Sequence, residues 1–141
     1  MRNIILRMIS MSSFEIHNKK YRMFLKDAKN EKNSQPTRIE AYFEACFHLI
    51  EAVAAKKRLH INKHQLVRKI LEENEDVFGG KTEDVWRSFQ EIENQIRPGQ
   101  IYGGAINGEA LDNTKRLASV TEVICNTILR KRKKTAFRNT G

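Results

Sequence analysis

The stretch from Thr37 to Lys57 limits most strongly what this chain can fold into. Its apolar residues recur at three- and four-residue steps and cover well over one face of a helix. They are Ile39, Tyr42, Phe43, Cys46, Phe47, Leu49, Ile50, Val53 and Ala54. Thr37 with Glu40 predicts a capping box at the start, and Pro36 lies just outside it. Because few polar residues remain to face water, other helices must cover this one. We therefore expect a mostly buried central helix.

Four more helices are predicted around it, and no segment alternates polar and apolar residues over strand length. Two of them start at predicted capping pairs, Ser12 with Glu15 and Asn62 with Gln65. The next starts at Thr82 after the break at Gly79-Gly80, and the apolar pattern of the last helix begins at Ala110. The fourth helix is expected to end at Pro98-Gly99. The sequence thus predicts an all-α fold, an up-and-down bundle of about five helices.

A length of 141 residues predicts a single domain. We expect residues 1–11 to be a disordered extension, 12–129 to form the helical-bundle domain and 130–141 to be a basic tail. Cys46 and Cys125 lie within apolar helical patterns, so they are predicted to be small core residues in a reducing compartment. We expect neither a signal peptide nor a membrane span. The expected location is the cytoplasm.

The positive charge is concentrated near the C-terminus. The chain has 26 Lys and Arg against 17 Asp and Glu, a net charge of +9. Six of the cations are Arg130, Lys131, Arg132, Lys133, Lys134 and Arg138. Such a segment can contact the phosphates of RNA or an acidic protein surface. It can equally be a solvated helix end with no partner.

His48, His60 and His64 lie close together in sequence, which raises the question of a metal or acid–base site. No Cys or acidic residue completes a metal-ligand spacing around them, so no metal is predicted. We interpret His60 and His64 as surface residues and His48 as a residue at the edge of the core. The glycine pairs follow helices and no phosphate-binding glycine motif occurs, so no nucleotide cofactor is predicted either.

Three features carry a family resemblance: the aromatic run YFEACFHLIEA, the histidine-bearing turn before Leu66, and Arg97 ahead of Tyr102. With these features the chain resembles, from Ser12 to Ile128, the HEPN superfamily of small helical-bundle proteins. The resemblance implies an RNA-cleaving toxin or an RNA-binding accessory of a prokaryotic toxin–antitoxin or defence system, commonly a homodimer. It also implies an antitoxin or a nucleotidyltransferase as a protein partner.

The catalytic signature of that family, an Arg followed after four to six residues by a His, is incomplete here. Arg97 matches the Arg, but Tyr102 stands where the His is expected, and no histidine follows His64. Because an ordinary phenol moves protons poorly near neutral pH, the departure favours a non-catalytic member that binds RNA or a partner protein. In that role Arg97 would bind phosphate and Tyr102 would stack on a base. Alternatively, Arg97 caps its own helix and Tyr102 closes the core.

Two other functions stay open. One is a metal-independent ribonuclease toxin of the same fold that combines Arg97 with a histidine from elsewhere in the chain. The other is a protein-interaction bundle unrelated to the HEPN superfamily.

Overall fold

Five main helices make up the part of the chain that the computed structural model describes, which is residues 12–101 and 108–139. They are α1 (Ser13–Lys29), α2 (Gln35–Ala55), α3 (Val67–Glu73), α4 (Thr82–Glu91) and α5 (Gly108–Asn139). Single-turn helical segments precede α3 and separate it from α4. The described residues contain no strand, so the prediction of an all-α bundle is confirmed. The predicted extension, residues 1–11, lies outside the described part.

The helix α2 is the centre of the bundle, as its apolar pattern predicts. Phe43, Leu49 and Ile50 are completely buried within it. It packs against α1 on one side and α5 on another. The helix α4 adds Phe89, whose ring lies 4.9 Å from that of Phe43, centre to centre, and nearly parallel to it. Burial of such side chains stabilises the fold, because each one contributes about 1.5–3 kcal/mol.

The ends of α2 differ from the prediction. Ser34, not Thr37, is the N-cap, and its Oγ accepts a hydrogen bond from the Thr37 N–H at 3.3 Å. Pro36 therefore lies inside the first turn, where its missing N–H breaks no helical bond. The predicted capping box is wrong. Beyond the other end of α2, Arg58 adopts a φ of 60°, the left-handed conformation that commonly ends a helix.

Of the other predicted helix caps, the first is confirmed and two are wrong, although α4 does begin at Thr82 as predicted. The Ser12 Oγ accepts a hydrogen bond from the Glu15 N–H at 3.1 Å and begins α1. Asn62 is not an N-cap, since it lies in a left-handed turn with a φ of 67°. The Thr82 Oγ1 donates to the Gly79 carbonyl at 2.6 Å, so it closes the preceding turn instead of capping α4.

Contrary to the prediction, the fourth helix does not end at Pro98-Gly99. It continues through a π turn, Ile92–Ile96, into the α-helical segment Arg97–Ile101. The Arg97 N–H donates to the carbonyl of Ile92, five residues earlier, which is the π pattern. Pro98 is tolerated because it lies in the first turn of the new segment. Residues 97–101, which include the predicted stop, are therefore helical.

The last helix, α5, runs without a break from the core into the basic residues. Its buried residues recur at three- and four-residue steps and are Leu111, Thr114, Leu117, Ala118, Thr121 and Cys125. Arg130 and Lys131 are exposed. Cations suit the C-terminal half of a helix because they interact favourably with its dipole, so the predicted tail can stay helical as far as Asn139. None of the described helices is long and apolar enough to cross a membrane.

Candidate functional site

Arg97 forms a bidentate ion pair with Glu40. Its Nε donates to Glu40 Oε2 at 2.8 Å and its Nη2 donates to Oε1 at 2.9 Å. The guanidinium carbon lies 3.7 Å from the centre of the Phe43 ring, a cation–π contact. The helix continues past Arg97, so the interpretation of Arg97 as the cap of its own helix is wrong. For Arg97 to bind a phosphate, Glu40 would have to release it.

His64 also contacts Phe43, so it lies near Arg97. The two rings meet edge to face with centres 5.3 Å apart, so the Arg97 guanidinium carbon and the His64 ring centre are at most about 9 Å from each other. The Nδ1 atom of His64 lies 3.0 Å from Glu93 Oε2, a contact that fixes the orientation of the imidazole. We call Glu40, Phe43, His64, Glu93 and Arg97 the Arg97 cluster.

The surroundings of the Arg97 cluster are acidic. Burial raises the pKa of Glu44, and the charge of Glu40 raises it further, while Arg97 and His64 act in the opposite direction. Glu40 lines two clefts, of about 440 and 310 Å³, and the larger one also contains Asp27 and Glu44. Carboxylates at this density repel the phosphates of RNA. The cluster as it stands therefore suits a structural role or a cationic contact better than a phosphate contact.

Two more histidines, His17 and His48, meet further along α2. The Nδ1 atoms of His17, on α1, and His48, on α2, are 3.0 Å apart. The Nε2 of His17 lies 3.3 Å from Glu51 Oε2, and the Nε2 of His48 lies 3.8 Å from Glu44 Oε2. The interpretation of His48 as a partly buried residue at the core edge agrees with the 11% exposure of its side chain. We call His17 and His48 the histidine pair.

The basic end of α5, residues 130–138, forms a third candidate. Arg130 and Lys131 are exposed, and Arg130 donates to Thr127 Oγ1 at 3.3 Å. Arg132, Lys133 and Lys134 follow on the same helix. Tyr102, the remaining predicted site residue, lies outside the described residues. The structure thus assigns the predicted residues to two places, Arg97 in an acidic cluster and the cations on the end of α5.

Sequence reasoning missed the acidic partners and one of the histidines. Glu40, Glu44 and His48 are spaced four residues apart and Glu51 follows three later, so all four lie on one side of α2. That spacing, a polar stripe on an otherwise apolar helix, is the signal that could have identified them. No signal identified His17 or Glu93, because each meets its partner only through the packing of helices.

Among the described residues, no group of three or more His, Cys, Asp or Glu side chains is arranged to hold a metal ion. No protein-family model, no curated protein and no solved structure matches this chain. The candidate sites are therefore judged on their own geometry.

Proposed function

We propose that this chain is a HEPN-like helical-bundle protein that binds RNA through the basic end of α5 without cutting it. The observation that carries the proposal is the placement of six cations, from Arg130 to Arg138, on a continuous helix beyond its last core residues. A helix fixes the backbone that carries these residues, so less backbone entropy is lost on binding than with a disordered tail. Each phosphate neutralised releases a condensed counterion, which drives association.

The geometry of the Arg97 cluster supports the non-catalytic part of the proposal. The one cation of the incomplete family signature is neutralised by Glu40, and further carboxylates line the adjoining clefts. A phosphate would have to displace Glu40 from Arg97 before any chemistry could begin. The same argument makes the basic end of α5, not the Arg97 cluster, the first contact for RNA.

The salt dependence of RNA binding tests this proposal. We expect the triple substitution of Arg132, Lys133 and Lys134 to Gln to weaken the binding of a labelled single-stranded RNA. The slope of log affinity against log salt should become shallower by about 2, since each lost contact removes about 0.7. The matched control replaces three exposed α1 lysines, Lys19, Lys26 and Lys29, by Gln. Equal slopes for the two triple variants would show that the basic end does not contact RNA.

Metal-independent RNA cleavage is the second candidate, and the proximity of Arg97 to His64 favours it. An imidazole held by a carboxylate can accept the proton of the ribose 2′-hydroxyl, and a guanidinium can stabilise the negative charge that develops on the phosphate. His64 is oriented in this way by Glu93. Arg97 would first have to exchange Glu40 for the phosphate.

Incubation of labelled RNA with a chelator present separates the two candidates. We expect the parent protein to leave the RNA intact. Cleavage by the parent that is lost in Arg97→Ala and in His64→Ala, but kept in His60→Ala, would replace the binding proposal by the nuclease. His60 serves as the control because it is an exposed histidine of the same turn region.

We further propose that the protein acts in the cytoplasm as a homodimer within a toxin–antitoxin or defence system, with an antitoxin or a nucleotidyltransferase as its protein partner. The dimer, the biological system and the protein partner rest on the family resemblance alone, and the location rests on the two unpaired cysteines. The mass of the protein in solution tests the dimer directly. A monomeric mass together with no RNA binding would favour the protein-interaction bundle instead.

A further inference from the structure

The histidine pair has a geometry that fits a shared proton. The Nδ1 atoms are 3.0 Å apart and the ring centres 5.3 Å apart. The 2.3 Å difference is about twice the distance from an imidazole centre to its ring nitrogen, so both Nδ1 atoms lie close to the line that joins the centres. Their lone pairs therefore point at each other. A metal ion on this line would be far closer to both nitrogens than the roughly 2.0 Å of a metal–imidazole bond.

One proton, and only one, fits between the two Nδ1 atoms. In the neutral pair the second N–H belongs on the Nε2 of His17, because this atom is nearer to a carboxylate than the Nε2 of His48, at 3.3 Å against 3.8 Å. His48 Nδ1–H then donates to His17 Nδ1, and the protonated Nε2 of His17 faces Glu51 Oε2 at 3.3 Å. Glu51 is buried, and its Oε1 accepts the Ile61 N–H at 2.8 Å. The network thus connects α1, α2 and the turn after α2.

The first turns of α1 contribute little to the apolar core beside this network. The two buried residues of α1, Tyr21 and Ala28, both lie beyond His17 in the chain. Before His17, Phe14 contacts the Lys56 ammonium at 4.0 Å and Ile16 is 39% exposed. Loss of the contact between the histidines would therefore free residues 13–20 without opening the core.

We propose that the histidine pair is a pH-dependent latch, in which one shared proton holds residues 13–20 of α1 on α2 and protonation of both rings releases them. With both rings protonated, two N–H groups meet head to head at 3.0 Å, and the charge on His48 lies against the rings of Phe24 and Phe47. Release of α1 separates them and gives each ring access to water. Glu44 and Glu51 favour the charged rings, whereas Lys20 and His60 oppose them.

The pKa values give the direction of the effect. Burial, and then the neighbouring His17 and Lys20, lower the pKa of His48 from 6.5 to about 4. Burial also lowers the pKa of His17, against the opposing charge of Glu51. A histidine with a lowered pKa binds fewer protons when the latch is closed than when it is open. The closed state is therefore favoured above pH 6.5 and is lost as the pH falls from 6.5 toward 4.

Nuclear magnetic resonance of the full chain with ¹⁵N-labelled histidine tests the shared proton. Near pH 7 we expect a scalar coupling between the two Nδ1 nuclei across the hydrogen bond, and its loss on acidification. Absence of the coupling near pH 7 would overturn the proposal. So would Zn²⁺ that binds the two rings in place of the proton.

Hydrogen exchange of the amides of residues 13–20, corrected for the intrinsic pH dependence, tests the release. Between about pH 7 and pH 5 we expect the opening constant of this segment to rise about tenfold or more in the parent and in His60→Gln. In His48→Asn, which keeps a hydrogen-bonding group near the Nδ1 position but does not titrate, the rise should be clearly smaller, because only the proton uptake of His17 remains. An equal rise in His48→Asn would overturn the latch. If that variant does not fold, the nitrogen–nitrogen coupling in the parent decides.

Discussion

Arg97 and the two cysteines show how the environment of a side chain sets its chemistry. The Arg97 guanidinium forms an ion pair with the Glu40 carboxylate, and its flat face lies over the Phe43 ring. Cys46 and Cys125 are buried as predicted, and burial raises the pKa of Cys46 to about 12 and that of Cys125 as well. These thiols are therefore inert core residues near neutral pH. At this scale, burial and the nearest partner decide whether a reactive group is available.

Replacement of Arg97 by Met should lower the free energy of unfolding by about 1–2 kcal/mol, because the ion pair and the cation–π contact are lost while part of the packing remains. The expected loss of unfolding free energy is small because the Glu40 side chain is 44% exposed and water screens the ion pair. Glu40→Gln should cost less, since an amide oxygen can still accept from Arg97. Urea denaturation measures both, and an unchanged midpoint for Arg97→Met would show that the pair contributes nothing.

At the scale of helices, two backbone features position the sites. The π turn Ile92–Ile96 carries α4 past Pro98, so that Arg97 reaches Glu40 near the start of α2. Gly79 begins the turn into α4 with φ 64° and ψ −144°, a combination that is almost exclusive to glycine. Neither feature belongs to the periodic apolar pattern. Each is a local departure from regular helix that determines where the following helix goes.

Gly79→Ala should destabilise the protein by about 1–3 kcal/mol, the usual cost of such a backbone conformation in a residue with a side chain. An added Cβ meets nothing within 4 Å at either Gly79 or Gly80, so steric contact cannot explain a difference between them. Gly80→Ala, where φ is not positive, is the matched control and should be nearly neutral. Thermal unfolding compares the two, and equal melting temperatures would contradict the strain argument.

Phe43 and Phe47 lie one turn apart on α2 and allow a matched test of burial. The apolar pattern assigns both to the core, yet Phe43 is fully buried and Phe47 only partly. Phe43→Ala should cost about 3–5 kcal/mol through lost burial and a cavity, and Phe47→Ala about 1–2 kcal/mol. Equal losses in chemical denaturation would mean that the two rings are equally buried in solution.

Over the whole molecule, the bundle and the basic end of α5 are separable in stability. Among the α5 residues whose side chains the structure describes, the last ones packed against the core are Ile128 and Leu129. Beyond them α5 continues as a cationic helix to Asn139. The core that the structure describes thus lies before residue 130, whereas the proposed RNA contact lies after it.

Deletion of residues 130–141 should therefore leave the melting temperature within a few degrees of the parent value, because the apolar core is untouched. RNA affinity should fall in the same variant, as in the triple substitution. Circular dichroism and RNA titration of one preparation measure both properties. A large loss of melting temperature would show that the basic end also stabilises the bundle.

The sequence by itself determined the helices and their buried faces. The three- and four-residue spacing in α2 predicts its central position, and the same rule identifies α5, Cys46 and Cys125, because burial follows from local periodicity. Helix ends were harder to predict. Ser34 caps α2 instead of Thr37, and Pro98 does not stop α4, since capping and π turns depend on local geometry that several nearby residues could satisfy.

Only the tertiary structure decided which polar side chains meet. Partners in the histidine pair are 31 residues apart in sequence, those of the His64–Glu93 contact 29, and those of the Arg97–Glu40 pair 57. Periodicity assigns each residue to a face of its own helix, but a contact also requires the rotation and axial position of the neighbouring helix. Those are set by how the apolar side chains of all the helices pack together, a collective property that no single stretch of sequence contains.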